Sequence, residues 1–202
     1  SRPEAWGLIV LVVLYKLGDA FAGSLTTAFL IRGAGFTPTD VGVVNKGFGL
    51  VATLVGALAG GLWLMRFGLY RSLMLFGILQ AVTNLGFFAL SVVGHNYLLM
   101  VAAVGLENLA GGMGTAAFVA LLMGLCDIRY SATQFALLSA LASLGRVFLG
   151  PVAGGVVAWL DWPLFFVSTV LVALPGLWVL YRMRSAVDQA HKNNHAPQAQ
   201  EA

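Results

Sequence analysis

AWGLIVLVVLYKLGDAFAGSLTTAFLI, residues 5–31, carries only two charges in 27 positions, Lys16 and Asp19. About 20 apolar residues, rising about 1.5 Å each, cross a hydrocarbon core about 30 Å thick. The stretch is therefore long enough to span a bilayer. It is too long for the apolar run of a signal peptide and lacks a cleavage site. Five further stretches read the same way: 41–65, 71–93, 98–125, 133–160 and 163–181. The expected fold class is an all-α membrane protein with six transmembrane helices. Residues 1–184 are expected to form the six-helix bundle, and the polar segment 185–202, rich in Ala, Gln and Asn, a disordered tail.

Composition points the same way. Of the 202 residues 59% are hydrophobic and 9% charged, where an ordinary soluble domain has about 25% charged. A soluble chain of this size could not bury so much apolar surface. The 25 glycines suit close helix packing in lipid. One cysteine, Cys126, excludes an internal disulfide framework and a Cys-rich metal site. The scattered basic residues form no patch for nucleic acid. No nucleophile elbow, zinc-protease helix or phosphate loop is present, which argues against an enzyme and against a cofactor. His191 and His195 in the tail are expected to be solvated rather than to bind metal. The chain opens on Ser1 rather than Met, so an upstream segment is expected.

The connections between spans are short and fall on two sides. Arg32–Asp40, Gly94–Tyr97 and Asp161–Trp162 lie on one side. Arg66–Tyr70, Cys126–Ala132 and both termini lie on the other. Seven basic residues (Arg2, Arg66, Arg71, Arg129, Arg182, Arg184 and Lys192) are on the termini side, against Arg32 opposite. The positive-inside rule puts both termini in the cytoplasm. Trp6, Trp63, Tyr97, Trp159, Trp162, Trp178 and Tyr181 cluster near the expected helix ends as an aromatic belt.

A weak internal repeat relates the two halves. DAFAGSLTT (19–27) of the first span parallels ENLAGGMGT (107–115) of the fourth, and GALAGG (56–61) of the second parallels GPVAGG (150–155) of the fifth. The first and fourth spans run in opposite directions, so this is a 3+3 inverted repeat, a building plan of secondary transporters.

Five ionisable residues fall inside the spans: Lys16, Asp19, Lys46, Glu107 and Arg146. Each costs roughly 2.5–3.5 kcal/mol at a helix centre, so each should face a cavity or a partner. By helix rise all five lie about 16–22 Å from the cytoplasmic face, the depth at which transporters place their sites. Lys16 and Asp19, three apart on one helix, can also neutralise each other. Lys46 can snorkel outward, and Glu107 with Arg146 can tie the fourth span to the fifth. Tyr15, Asn45, Asn108 and Thr115 are polar neighbours able to join a cavity wall. The third and sixth spans hold no charge, which suits purely lipid-facing scaffolding. Gly150–Pro151 in the fifth span reads as a hinge, because proline removes a helix bond and glycine eases the bend. Pro175 reads as a fixed kink. The glycine pairs 60–61, 111–112 and 154–155 are expected at close helix contacts.

Two resemblances follow from longer strings. GLWLMRFGLYR (61–71) resembles the second-to-third-helix loop of the major facilitator superfamily at Gly61, Arg66 and Gly68, with Met65 where that motif has Asp. LYKLGDAFA (14–22), FLIRG (29–33), VGVVNK (41–46), ENLAGGMGT (107–115), FVALLM (118–123), SATQFALLSAL (131–141) and GRVFLGPVAG (145–154) resemble the AmpG-type muropeptide permeases, a branch of that superfamily. The resemblance covers the first five spans and only loosely the sixth.

It implies the C-terminal half of a twelve-helix facilitator. Its missing N-terminal six-helix half would complete a proton-driven importer of anhydro-muropeptides in the Gram-negative inner membrane. It also implies a role in peptidoglycan recycling and in the signal for β-lactamase induction. On that reading Lys16, Lys46 and Arg146 hold substrate carboxylates, with Asp19 and Asn108 also at the substrate site, and Glu107 or Asp19 takes the proton. Two other readings stay open on the residues alone. One is a facilitator half for another solute, such as a peptide, a sugar or an acyl carrier. The other is a complete six-helix protein that does not transport.

Overall fold

A computed structural model describes the backbone of residues 2–126 and 131–195 and the side chains of 6–126, 132–143 and 147–189. Among the described residues there are helices and no strand. The first span is α1 (Arg2–Ala28), which runs on as a π-helical turn over Phe29–Gly33. The second begins as α2 (Pro38–Gly42), loosens into π-helix over Val43–Phe48 and continues as α3 (Gly49–Phe67). The third span is α4 (Leu69–Val93) and the fourth α5 (Tyr97–Leu125). The fifth and sixth form one helical run, α6 (Ser131–Arg182), interrupted at Asp161. A straight helix of those 52 residues would measure about 78 Å, far beyond a core about 30 Å thick. The break at Asp161 makes it two spans, as expected from the sequence.

Each turn has a local cause. Gly68 (φ 81°) and Gly94 (φ 84°) take up the left-handed backbone that ends the second and third spans. Thr37 accepts from the Asp40 backbone N–H at 3.1 Å, and Pro38 supplies the preset first turn of the second span. Asn96 caps the fourth span in the same way, accepting from the Leu99 N–H at 3.0 Å. Asp161 (φ 60°, ψ 172°) makes its reversal without a glycine, a conformation that costs about 1–3 kcal/mol and persists because Trp162 and Pro163 fix the next span.

The two-sidedness read from the loops holds. His95 Nδ1 lies 3.2 Å from the Ala34 carbonyl oxygen and its ring 4.2 Å from that of Phe36. Trp162 packs 5.2 Å from Phe29, so all three connections expected on one side meet there. At the other end the Arg184 guanidinium stands 5.2 Å over the Tyr70 ring.

Packing follows the repeat. The first span closes on the sixth, where a methyl at Gly18 would lie 2.8 Å from Ala173 Cβ and one at Gly176 2.6 Å from the Leu14 carbonyl oxygen. The third closes on the fourth, with Gly86 against Ala103. Exchanging first for fourth and third for sixth maps one contact onto the other. Phe29, Phe87 and Phe166 lock the first, third and sixth spans, with Phe166 4.8 Å from Phe29 and 5.5 Å from Phe87.

Three expectations need correction. The third and sixth spans are not purely lipid-facing: Ser72, Gln80, Thr83 and Asn84 of the third are buried, as are Phe165, Phe166 and Thr169 of the sixth. Absence of charge left them apolar enough for lipid, but their packed faces turn inward. The glycine pairs 60–61 and 111–112 divide, and neither member of 154–155 makes a close contact. Gly60 and Gly112 lie against neighbouring backbone, whereas Gly61, Gly111, Gly154 and Gly155 face open space within 4 Å. Adjacent residues point about 100° apart on a helix, so only one of a pair meets a given neighbour. Pro151 and Pro175 lie within the helical run, and Asp161 is the non-helical point of α6. Finally, the tail begins as a helix, α7 (Arg184–His195), rather than as disordered chain. Val187 is fully buried against the ends of the third and fourth spans on the side of the C-terminal helix, and that burial offsets the ordering of a polar segment. Residues 196–202 and the side chains of His191 and His195 lie outside the described residues.

Candidate functional site

The second and fourth spans form the firmest wall. A methyl at Gly56 would overlap the Leu109 carbonyl oxygen, and one at Gly60 would sit 2.7 Å from Met113 Cα. From the other side Gly112 meets the Thr53 carbonyl oxygen and the Ala57 nitrogen. At this contact the one Thr53 hydroxyl hydrogen is shared between the Gly49 carbonyl at 2.9 Å and Asn108 Oδ1 at 3.1 Å, while Asn108 Nδ2 donates to the Val104 carbonyl at 2.8 Å and to Glu107 Oε2 at 3.4 Å. Asn108, a substrate-site candidate from sequence, thus has both ends of its amide engaged within the protein. It braces one helix on another and holds Glu107.

Opposite this wall Lys16 and Asp19 pair on the first span, Nζ to Oδ2 3.1 Å. Their spacing of three residues places them on one helical face. Lys16 also donates to Thr115 Oγ1 at 3.3 Å and stands 5.8 Å over the Phe118 ring. One ammonium therefore links the first span to the fourth. Both side chains are mostly buried, 13% exposed for Lys16 and 27% for Asp19.

The two acids of the repeat converge. Asp19 and Glu107 line one cavity of about 240 Å³, together with Ala20, Gly23 and Ser24. Gly23 and Gly111 are matched by the repeat, and both have open space where a side chain would be. Small residues at these matched positions keep room beside each carboxylate. A cavity lined by two acids and the Ser24 hydroxyl, with the Lys16 ammonium held on one of the acids, can hold polar solute groups and exchange a proton with them.

Other expected site residues stand apart. Lys46 lies in the π-helical stretch of the second span, solvent-exposed and with no ion-pair partner among the described residues. Asn45 precedes it in the same stretch. Wide turns of this kind are frequent at functional sites, and nothing in the sequence announced it. The Arg146 side chain, and with it the expected Glu107–Arg146 pair, lies outside the described residues. Gly150 and Pro151 lie within a helical backbone and contribute no polar group to the cavity.

Sequence reading missed Gln80 and Asn84. They line a second, internal cavity of about 10 Å³ between the first, third and sixth spans, with Tyr15, Gly18 and Asp19. Tyr15 is buried there and donates to the Leu73 carbonyl at 2.9 Å. The i, i+4 spacing of Gln80 and Asn84 in an otherwise apolar helix is the signal that could have found them.

Comparison with known proteins widens this picture. The family model described as Major Facilitator Superfamily matches residues 8–201. The anhydromuropeptide permease of Escherichia coli strain K12 is 54% identical over 195 residues, covering 96% of this chain and 40% of that protein. AmpG 4 of Rickettsia felis is 35% identical over 188 residues, 93% of this chain and 45% of the relative. The chain thus spans less than half the length of these relatives.

Proposed function

The chain belongs to the major facilitator superfamily, and from that premise we propose that it forms the C-terminal six-helix half of a proton-coupled importer of anhydro-muropeptides. It is a multi-pass membrane protein, and its relatives are permeases and transporters rather than enzymes. The substrate class is carried over from the 54%-identical permease, and the polar chemistry of the cavity supports it. The bacterial inner membrane, cytoplasmic termini and a link to β-lactamase induction belong to the same proposal. So does an N-terminal half that closes the cavity from the other side.

The observation that carries the reading is the cavity shared by Asp19 and Glu107. Muropeptides bring sugar hydroxyls and peptide carboxylates. Lys46, exposed and unpaired among the described residues, is the cation available to a carboxylate from the second span. Lys16 becomes available only as its hold on Asp19 loosens. Arg146 on the fifth span is the proposed partner of Glu107, and bending at Gly150–Pro151 would bring the two together or part them. We assign Glu107 as the proton-coupling acid, because its cation must come from another helix and so depends on conformation. Asp19 keeps Lys16 on its own helix in any conformation and is assigned to the substrate site.

The test uses the full-length transporter in proteoliposomes. In Glu107→Gln, proton-driven accumulation of labelled anhydro-muropeptide is expected to fail while substrate exchange across the membrane continues. Normal accumulation would refute the coupling role. Absence of muropeptide uptake or exchange by the wild-type transporter would refute the substrate.

A further inference from the structure

Gln80 is 92% buried, being 8% exposed, and its Nε2 has no hydrogen-bond partner among the described residues. A buried polar group left unpaired is costly, and in stable proteins such groups are satisfied by the protein or by ordered water. Shape holds this amide in place. A methyl at Gly114 of the fourth span would lie 2.8 Å from its Cδ, Nε2 and Oε1 alike, so the amide rests flat on that glycine. Gln80 cannot swing toward a protein partner without leaving this seat. Rotating the amide by 180° exchanges its nitrogen and oxygen within the same seat.

The void of about 10 Å³ that Gln80 lines has the room of a single water. Its polar wall consists of Gln80, Asn84, Asp19 and Tyr15, which meets the two to four partners that an internal water needs. The Tyr15 hydroxyl hydrogen is committed to Leu73, leaving its oxygen to accept. One Asp19 oxygen, Oδ2, takes the Lys16 ammonium. Asp19 also lines the large cavity, and it is the one residue common to the two walls.

We propose that the Gln80 amide is rotated by 180°, which brings Nε2 from a position closed even to water to the open position of Oε1, and that this internal void holds one ordered water, accepting from Nε2 and donating to the Asp19 carboxylate, with Gln80 as a positioning residue for Asp19. The carboxylate then stands between two aqueous compartments. One is open to solute, and the other admits only water. A solute that fills the large cavity strips solvent from that face of Asp19 and leaves the internal water in place. Asp19 thereby keeps a hydrogen-bond partner through the transport cycle even as its hold on Lys16 loosens. The water site rests on packing alone and stands whether or not Glu107 couples protons.

Radiolytic hydroxyl labelling of the full-length transporter tests this, because X-rays generate radicals from bound water beside otherwise inaccessible rings. Tyr15 and Phe76 are both buried, at 7% and 0% exposure, and only Tyr15 lines the void. Tyr15 is expected to be oxidised at least fivefold faster than Phe76. Equal, slow oxidation of the two would overturn the proposal. In Gln80→Met, which keeps the volume and removes the amide, Tyr15 labelling should drop to the level of Phe76. Undiminished labelling in that variant would remove Gln80 from the water site. Should the variant fail to fold, the wild-type ratio of Tyr15 to Phe76 still decides.

Discussion

Gly56→Ala is expected to weaken the bundle sharply, while Gly61→Ala, five residues along the same helix, is expected to be harmless. A methyl at Gly56 would overlap the Leu109 carbonyl oxygen and sit 3.0 Å from its carbon and 3.1 Å from Leu109 Cα. All three are backbone atoms, so no rotamer change relieves the clash and the second and fourth helices must part. Overpacking of this kind costs about 1–3 kcal/mol. Parting the helices also strains the Thr53–Asn108 bond of 3.1 Å, worth about 0.6 kcal/mol between membrane helices. Gly61 has nothing within 4 Å of the added methyl, so that variant only gains helix propensity, up to about 1 kcal/mol. The propensity gain is common to both variants, and they should therefore differ by about 1.5–3.5 kcal/mol in unfolding free energy. Unfolding of the full-length protein in mixed detergent and SDS micelles measures the difference. Equal stability of the two variants would refute the close approach of these helices.

Two further outcomes concern charge. Lys16→Met leaves Asp19 largely buried without its cation and should cost up to about 3 kcal/mol, moderated by the 27% of the Asp19 side chain that stays exposed. Lys16→Met/Asp19→Asn should recover most of that stability in the same micelle assay, and failure to recover would show that the pair is not the reason for the loss. For orientation, cysteines at Thr37 and Asn96, both exposed on one side of the bundle, should react with an impermeant maleimide added outside cells. A cysteine at Phe67 should not react, and the reverse pattern would invert the topology.

Span number, their approximate ends and the grouping of loops were legible because each rests on one-dimensional quantities: apolar length, turn residues and basic loops. The convergence of Asp19 and Glu107 was legible only as matching strings, since a repeat in sequence becomes a shared cavity only after folding. What escaped depends on which face of a helix meets another. Gly60 and Gly61 are indistinguishable in a string, yet one abuts Met113 and the other faces open space. That the Asn108 amide is committed to Thr53 and Val104 is likewise invisible in a string. Gln80 and Asn84 were passed over because attention to charge hides neutral polar residues, although burial makes both expensive. The π-helical turns at Phe29–Gly33 and Val43–Phe48 have no compositional mark, since an inserted residue looks like any other.

The glycine-lined seam between the second and fourth spans also constrains how the protein is made. Its two sides, Gly49–Phe67 and Tyr97–Leu125, are separated in the chain by the whole of the third span. During synthesis the second span enters lipid with no seam partner, and at about 5–20 residues per second the ribosome needs several seconds to deliver the fourth. In that interval its small residues offer a groove to any passing apolar helix, so the nascent chain is exposed to mispairing before its own partner emerges. The third span, tethered by the tight turn at Gly68, is the neighbour nearest to hand. The seam therefore closes only once the fourth helix emerges beside a second helix already resident in the bilayer.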